Sequence, residues 1–363
     1  MNKKKYFLIA LSFLSLLVCQ NALAQFKKVK STTAGQSSKA SKSANRPNIL
    51  FIMSDDHTSQ AWGIYGGILK DYVHAPNIKR LADEGSVLEN CLVSNSICTP
   101  SRATILTGQY SHVNEVTTLG SGLLSEHDNI AKHLQQGGYQ TSVIGKWHLK
   151  KEPSGFDYYC VLPGQGRYWD PILKTKENWE DYNEGGISHP GFSTDVIADM
   201  AIDWIDNRDK TKPFMAMCHF KATHEPYDYP KRFSELYKDV EIPIPNSFFD
   251  LGAETTGRSF IGQSIDILQN RYLTATNEPE KRKGHMYYPD LPFSVDGLND
   301  EQARMKTYQK FTKDFMRCGA TIDDNIGKLL DYLDKAGLAE NTIVIYTADQ
   351  GYFLGEHGFF DKR

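Results

Sequence analysis

The chain has 363 residues, 41 basic and 44 acidic, with a formal net charge of -3, and it is 40% hydrophobic and 12% aromatic. That length and apolar content suffice for one large α/β domain or two smaller ones with a sizeable core. The balanced charge creates no global field to attract nucleic acid, so any affinity for anions has to be local.

The N-terminus, MNKKKYFLIALSFLSLLVCQNALAQ, sets Lys3 to Lys5 before an apolar run from Tyr6 to Val18 and closes on Ala22-Leu23-Ala24. This order predicts a secretory signal peptide over residues 1–24 and an exported protein, periplasmic or on the cell surface. The apolar run is short for a membrane span of about 20 residues, so no span is expected. Lipidation at Cys19 is the other export route, disfavoured by Val18 where a small residue is needed. Residues 25–46, rich in Ser, Lys, Thr and Ala, have too little apolar content to pack and predict a flexible leader, with folded sequence over 47–363.

Four apolar runs then end abruptly in polar clusters: NILFIMSDDH (Asn48 to His57), TSVIGKWHL (Thr141 to Leu149), PFMAMCHFKATHEP (Pro213 to Pro226) and TIVIYTADQG (Thr342 to Gly351). Continuous apolar runs of this length predict strands buried on both faces of a mainly parallel sheet. Between them, Thr194 predicts the cap of a helix over DVIADMAIDWID, and an amphipathic stretch from about Glu301 to Ala336 predicts a long helix closed by Gly337. Alternating strands and helices predict an α/β fold with helices on both faces. The ligand site of such a fold lies beyond the carboxyl ends of its strands. One rim would then gather Asp55, Asp56, Lys146, His148, His224, Asp349 and Gln350.

Cys91, Cys98, Cys160, Cys218 and Cys318 are an odd set for an exported chain, so at least one is unpaired. Cys91, Cys218 and Cys318 have apolar neighbours and read as small core residues. Cys98 differs, because CTPSRATILTG reads as a helix start with Pro100 near the first helical position. A helix entrance favours an anion, and Arg102 on the first turn would add a fixed cation. Lys146 and Lys362 would bring two more. Asp55, Asp56, Asp349 and the Gln350 amide oxygen are hard donors suited to Ca²⁺ or Mg²⁺ rather than to Zn²⁺. Such a set suits a tetrahedral oxyanion carrying a leaving group.

CTPSRATILTG resembles the Cys-x-Pro-Ser-Arg signature of the formylglycine-dependent (type I) sulfatases, whose fold is alkaline-phosphatase-like. Asp55 and Asp56 resemble that family's first metal pair, GKWHL its Lys-x-His segment, His224 its later histidine, Asp349-Gln350 its second metal pair and Lys362 its final sulfate-binding lysine. Gln350 departs from the Asn or His of many members but keeps an amide oxygen. The resemblance runs from about Pro47 to the last residue. It implies that a maturation enzyme oxidises Cys98 to Cα-formylglycine, and that residue 98 joins the four side chains around calcium. One hydroxyl of the hydrated aldehyde would attack sulfur, with Lys146 and Lys362 stabilising charge on the SO₃ group. His224 would protonate the departing alcohol, and His148 would serve the later release of sulfate.

The tail TADQGYFLGEHGFFDKR resembles bacterial sulfatases acting on sulfated glycans, especially those removing 6-O-sulfate from N-acetylglucosamine. Family members carry a smaller C-terminal subdomain, most of which the resemblance implies is missing after GFFDKR. GQGRYWDP (Gly164 to Pro171) either lines a sugar pocket with aromatic faces or is a loop anchored by buried Tyr168 and Trp169. Two other functions stay open: a phosphatase or phosphodiesterase of the same superfamily, which commonly needs several zinc-binding histidines, and a non-catalytic binder of sulfated glycans, which predicts unmodified Cys98.

Overall fold

The computed structural model describes residues 46–251, 261–276 and 287–362; the expected signal peptide, Cys19 and the leader up to residue 45 lie outside the described residues. The four predicted strands are present as β1 (Asn48–Ser54), β2 (Gln140–Lys146), β6 (Phe214–His219) and β7 (Thr342–Ala348). With β3 (Tyr158–Leu162) they form one wholly parallel sheet in the order β3-β2-β6-β1-β7. Two short antiparallel pairs accompany it: β4 (Ile172–Leu173) with β5 (Ile187–Ser188), and β8 (Phe353–Leu354) with β9 (Phe360–Asp361).

Side chains of a strand alternate between faces. Leu50, Ile52, Ile144, Ala216 and Cys218 join one core, covered by the helices Ser193–Asn207 and Asp300–Lys335. Val143, Tyr159, Met215 and Met217 point the other way, into a core with Ala103 and Leu106 of the helix Cys98–Thr107 and Ala131 of the helix Ile130–Gln136. β1 and β6 are therefore apolar along most of their length, whereas β2 also buries Thr141 and Ser142. This is the α/β arrangement with helices on both faces that the pattern predicts, and none of the described helices is long and apolar enough to cross a membrane.

Several details differ from expectation. β7 is an edge strand, not buried on both faces, with Ile343 49% and Ile345 40% exposed. Thr194 is not a cap: the helix starts at Ser193 after Phe192, and the Thr194 hydroxyl lies buried against Thr321 Oγ1 at 3.4 Å. Cys91 is exposed, as are its neighbours Leu92 and Val93 in a segment outside any helix or strand, whereas Cys218 and Cys318 are core residues as expected. Of the two rings expected to anchor the Gly164–Pro171 loop, Tyr168 is buried but Trp169 is 44% exposed. The long helix matches closely, running Asp300–Lys335 with Gly337 just beyond it at a φ of 64°.

Candidate active site

Because every strand of the main sheet is parallel, all the polar clusters emerge on one rim. The loops that carry them are fastened to one another by backbone bonds that continue the sheet. Asp55 N–H donates to Ala222 O at 2.9 Å, Thr223 N–H to Asp55 O at 2.7 Å and Asp349 N–H to Ser54 O at 3.1 Å. Gly145 has a φ of 103°, where a Cβ would run into the His219 carbonyl, so the residue before Lys146 has to be glycine.

Cys98 is the first residue of its helix, after Ile97, which supplies no side-chain cap. Free N–H groups and the positive end of the helix macrodipole therefore converge at this position. Each neighbour in the motif is bound to a different loop. Thr99 Oγ1 donates to His148 O at 2.9 Å, and Ser101 Oγ donates to Asp349 O. Arg102, only 1% exposed, donates from Nε to Asp349 Oδ2 at 2.9 Å, from a terminal nitrogen to Lys146 O at 2.7 Å, and from the other to Asp55 Oδ1 at 3.5 Å. Its guanidinium clamps three strand ends.

The Cys98 thiol faces Asp55 Oδ1 at 3.4 Å and Asp56 Oδ1 at 3.7 Å, and Gln350 Nε2 donates to its sulfur at 3.4 Å. Lys146 Nζ donates to Asp55 Oδ2 and, at 2.6 Å, to Gln165 Oε1. Lys362 Nζ donates to Asp56 Oδ2. His224 Nε2 stands 3.8 Å from Asp56 Oδ2, while its Nδ1 bonds the Glu225 carbonyl at 2.8 Å. A carbonyl can only accept, so in the neutral ring Nδ1 carries the hydrogen and Nε2 presents a lone pair to the site. Three carboxylates and three cations thus share one buried cluster.

Burial governs the ionisation of these groups. It pushes the Cys98 thiol well above its ordinary value, and Asp55 and Asp56 push the same way, so the sulfur stays protonated and is a poor nucleophile at neutral pH. Burial also works to raise Asp55, yet the cations Lys146, Arg102 and Lys362 hold its carboxyl well below the usual range. Asp56 is raised by burial despite Lys362, and Asp349 is pushed up to about 7 by burial and by Asp55. Both histidines are held neutral. His148 falls to about 2 through burial and then Lys146, and His224 falls well below its usual value through burial and then Lys362.

The ligand atoms of Asp55, Asp56, Cys98 and His224 all lie within 4.8 Å of one another, and Gln350 Oε1 is buried with no hydrogen-bond partner. Adjacent buried carboxylates and an orphaned amide oxygen are a donor set that fits a hard divalent cation.

All ten residues singled out in the sequence come to this rim. His148 arrives least engaged: its carbonyl accepts Thr99, but its buried Nδ1 has no partner. The sequence reading singles out the Gly164–Pro171 segment but not the task of Gln165, which shares Lys146, nor that of the buried Tyr168, whose hydroxyl donates to His224 O at 2.6 Å. It missed Lys221, 3% exposed and 4.8 Å from the Tyr168 ring centre. It also missed the group behind His224, where Glu225 accepts Arg271 at 2.6 Å and the Tyr288 hydroxyl. A single polar residue between motifs gives no signal of this kind.

Comparison with known proteins follows the same residues. The sulfatase family model matches residues 47–362. The chain is 39% identical over 347 residues to an N-acetylglucosamine-6-O-sulfatase of Bacteroides thetaiotaomicron, covering 88% of this chain and 60% of that protein. It is 25% identical to the human N-acetylglucosamine-6-sulfatase, covering 88% of this chain and 54% of that one. The chain thus spans 60% or less of the length of these two relatives. Among solved structures, BT4656 in complex with its substrate D-glucosamine-2-N,6-O-disulfate superposes with a TM-score of 0.77 at 37% identity, covering 87% of this chain and 68% of that one. A phosphonate monoester hydrolase of Agrobacterium radiobacter shares the fold, with a TM-score of 0.61 at 18% identity, covering 87% of this chain and 68% of that one.

Proposed function

The chain belongs to the sulfatase family, and from that premise we propose that it is a sulfuric ester hydrolase that takes sulfate from a sulfated glycan, with the 6-O-sulfate of N-acetylglucosamine as the expected target. The observation that carries this reading is Cys98 at a helix N-terminus, inside a buried set of three carboxylates and three cations. Its protonated thiol is a poor nucleophile, which supports a site built for a modified residue. Oxidised by a maturation enzyme to Cα-formylglycine and hydrated, residue 98 would supply two hydroxyls on one carbon, one to attack sulfur and one to release sulfate. Asp55, Asp56, Asp349, Gln350 and residue 98 would hold a calcium ion, which would neutralise the carboxylates and draw charge from sulfate oxygens.

The protein's own groups have separable tasks. Arg102 holds Asp55 and Asp349 in register and works against the burial that raises both, because each of its three nitrogens is committed within the protein. Lys146 and Lys362 stand on opposite carboxylates, Asp55 and Asp56, so both ammonium groups can turn to a tetrahedral anion placed between them. His224 presents Nε2 on the Lys362 side and would pass a proton to the leaving oxygen. An arriving sulfate ester offsets the lysines that depress this ring, which favours the protonated form needed for donation. His148, on the Lys146 side, would take a proton in the later release step. Export, read from residues 1–24, belongs to the same proposal and would place the enzyme where sulfated glycans are met.

The test is production alongside a formylglycine-generating enzyme, with a peptide mass across residue 98 and with sulfate release from N-acetylglucosamine-6-sulfate. Modified protein should release sulfate, and chelation of the divalent ion should stop it reversibly. Turnover of aryl phosphate well above aryl sulfate, or full activity with only a thiol at position 98, would overturn the reading.

A further inference from the structure

The rim loop that follows β3 has two outward side chains with no task in the chemistry above. Its backbone is locally extended, since Ser193 N–H donates to Tyr168 O at 2.7 Å and Asp170 N–H to Gly191 O at 2.8 Å, with Trp169 bridged to Phe192. In an extended segment neighbours alternate in direction. Tyr168 points inward, 4% exposed, and its hydroxyl holds the His224 carbonyl; Arg167 and Trp169 point outward on the other side.

Trp169 is open but fixed. Its indole N–H donates to Asp228 Oδ2 at 2.8 Å, and its ring packs edge-on against Phe192 at 5.2 Å, while 44% of the residue stays exposed. A large aromatic face held rigid in water loses little freedom when a ligand covers it. Arg167 is exposed and has no hydrogen bond, ion pair or ring contact among the described residues. The nearby carboxylates do not compete for it, because Asp228 is committed to Trp169 and Asp170 Oδ1 accepts Gly191 N–H at 2.9 Å. A flat apolar face beside an unspent guanidinium matches a pyranose ring, whose C–H face stacks on indole, carrying a sulfate or carboxylate.

We propose that Trp169 and Arg167 form an outer subsite for a second, anionic sugar of the glycan, fixed to the reactive centre by the Tyr168 bond to the His224 loop. The inference rests on the glycan-sulfatase reading. The test compares N-acetylglucosamine-6-sulfate with a tetrasaccharide in which that unit, at the non-reducing end, is followed by uronic acid. In Trp169→Ala the ratio of kcat/KM for tetrasaccharide over monosaccharide should fall about tenfold. In Arg167→Ala it should fall less, and the difference from wild type should shrink in high salt. A ratio unchanged in both variants, with wild type releasing sulfate, overturns the subsite and leaves the sulfatase reading standing. Calorimetric binding of the tetrasaccharide to protein with unmodified Cys98 separates the two readings. Weaker binding in both variants supports the subsite whether or not sulfate is released, and equal binding overturns it. Should Trp169→Ala fail to fold, Arg167→Ala decides alone, since its side chain is exposed and makes no hydrogen bond or ion pair among the described residues.

Discussion

The site has two sides built on different terms. On the inner side Cys98, Arg102, Asp55 and Asp349 are almost wholly buried, and each of the three Arg102 nitrogens donates to a carboxylate or to the Lys146 carbonyl. On the outer side the His224 ring is 16% exposed, Glu225 11% and Arg271 39%. There Arg271 bonds Glu225 at 2.6 Å and lies 5.2 Å from the Phe360 ring, so one guanidinium links the His224 loop to the strand leading to Lys362. The inner side is a closed charge lattice in which each member needs the others. The outer side is partly open to solvent, where a leaving group could be admitted. Tolerance to change should therefore rise from the inside outward.

The sharpest break would come from Arg102→Ala. It leaves Asp349 buried without its cation and the Lys146 carbonyl without its donor, so we expect a loss of about 3–5 kcal/mol in unfolding free energy, together with loss of sulfate release. A change in the urea unfolding midpoint too small to register would mean that the clamp is not structural. His224→Ala should leave the fold intact and cut kcat/KM for a sugar sulfate by about 10² to 10⁴. An activated aryl sulfate, whose phenolate leaves without help, should lose much less. Equal losses on both substrates would remove His224 from proton transfer and put His148 in its place. The smallest effect belongs to Arg271→Ala. With Arg271 partly exposed and Glu225 still holding the Tyr288 hydroxyl, it should cost about 1 kcal/mol of stability, while the aryl-to-sugar preference shifts toward aryl. Arg271→Lys should restore part of that preference, and a lysine variant no better than alanine would deny the link a positioning role.

The same contrast governs what could be read in the sequence. The inner side is legible because its chemistry is local: CTPSR is a contiguous string, and Asp55-Asp56 and Asp349-Gln350 each end a long apolar run. An apolar stretch that ends in a polar cluster marks each of the four strands that were evident, the exposed edge strand β7 included. β3 was not, because YYCVL carries two tyrosines and no polar terminus. The exposed face of β7 was equally hidden, since an edge strand and a central one can share a composition. Outer partners such as Gln165 with Lys146 and Arg271 with Glu225 meet across separations of 19 and 46 residues. Nothing but the finished fold brings them together.

The burial of Cys98 has a consequence for the order of events in the protein's life. In the folded chain the residue is 1% exposed, with Thr99, Ser101 and Arg102 all bound to other loops. No second protein could grip that string without dismantling the rim. Any enzymatic oxidation of position 98 must then come first, on a chain still extended, and folding afterwards seals the product in. The five residues from Cys98 to Arg102 would be read twice: once as a linear tag by another protein, and once as a knot by their own.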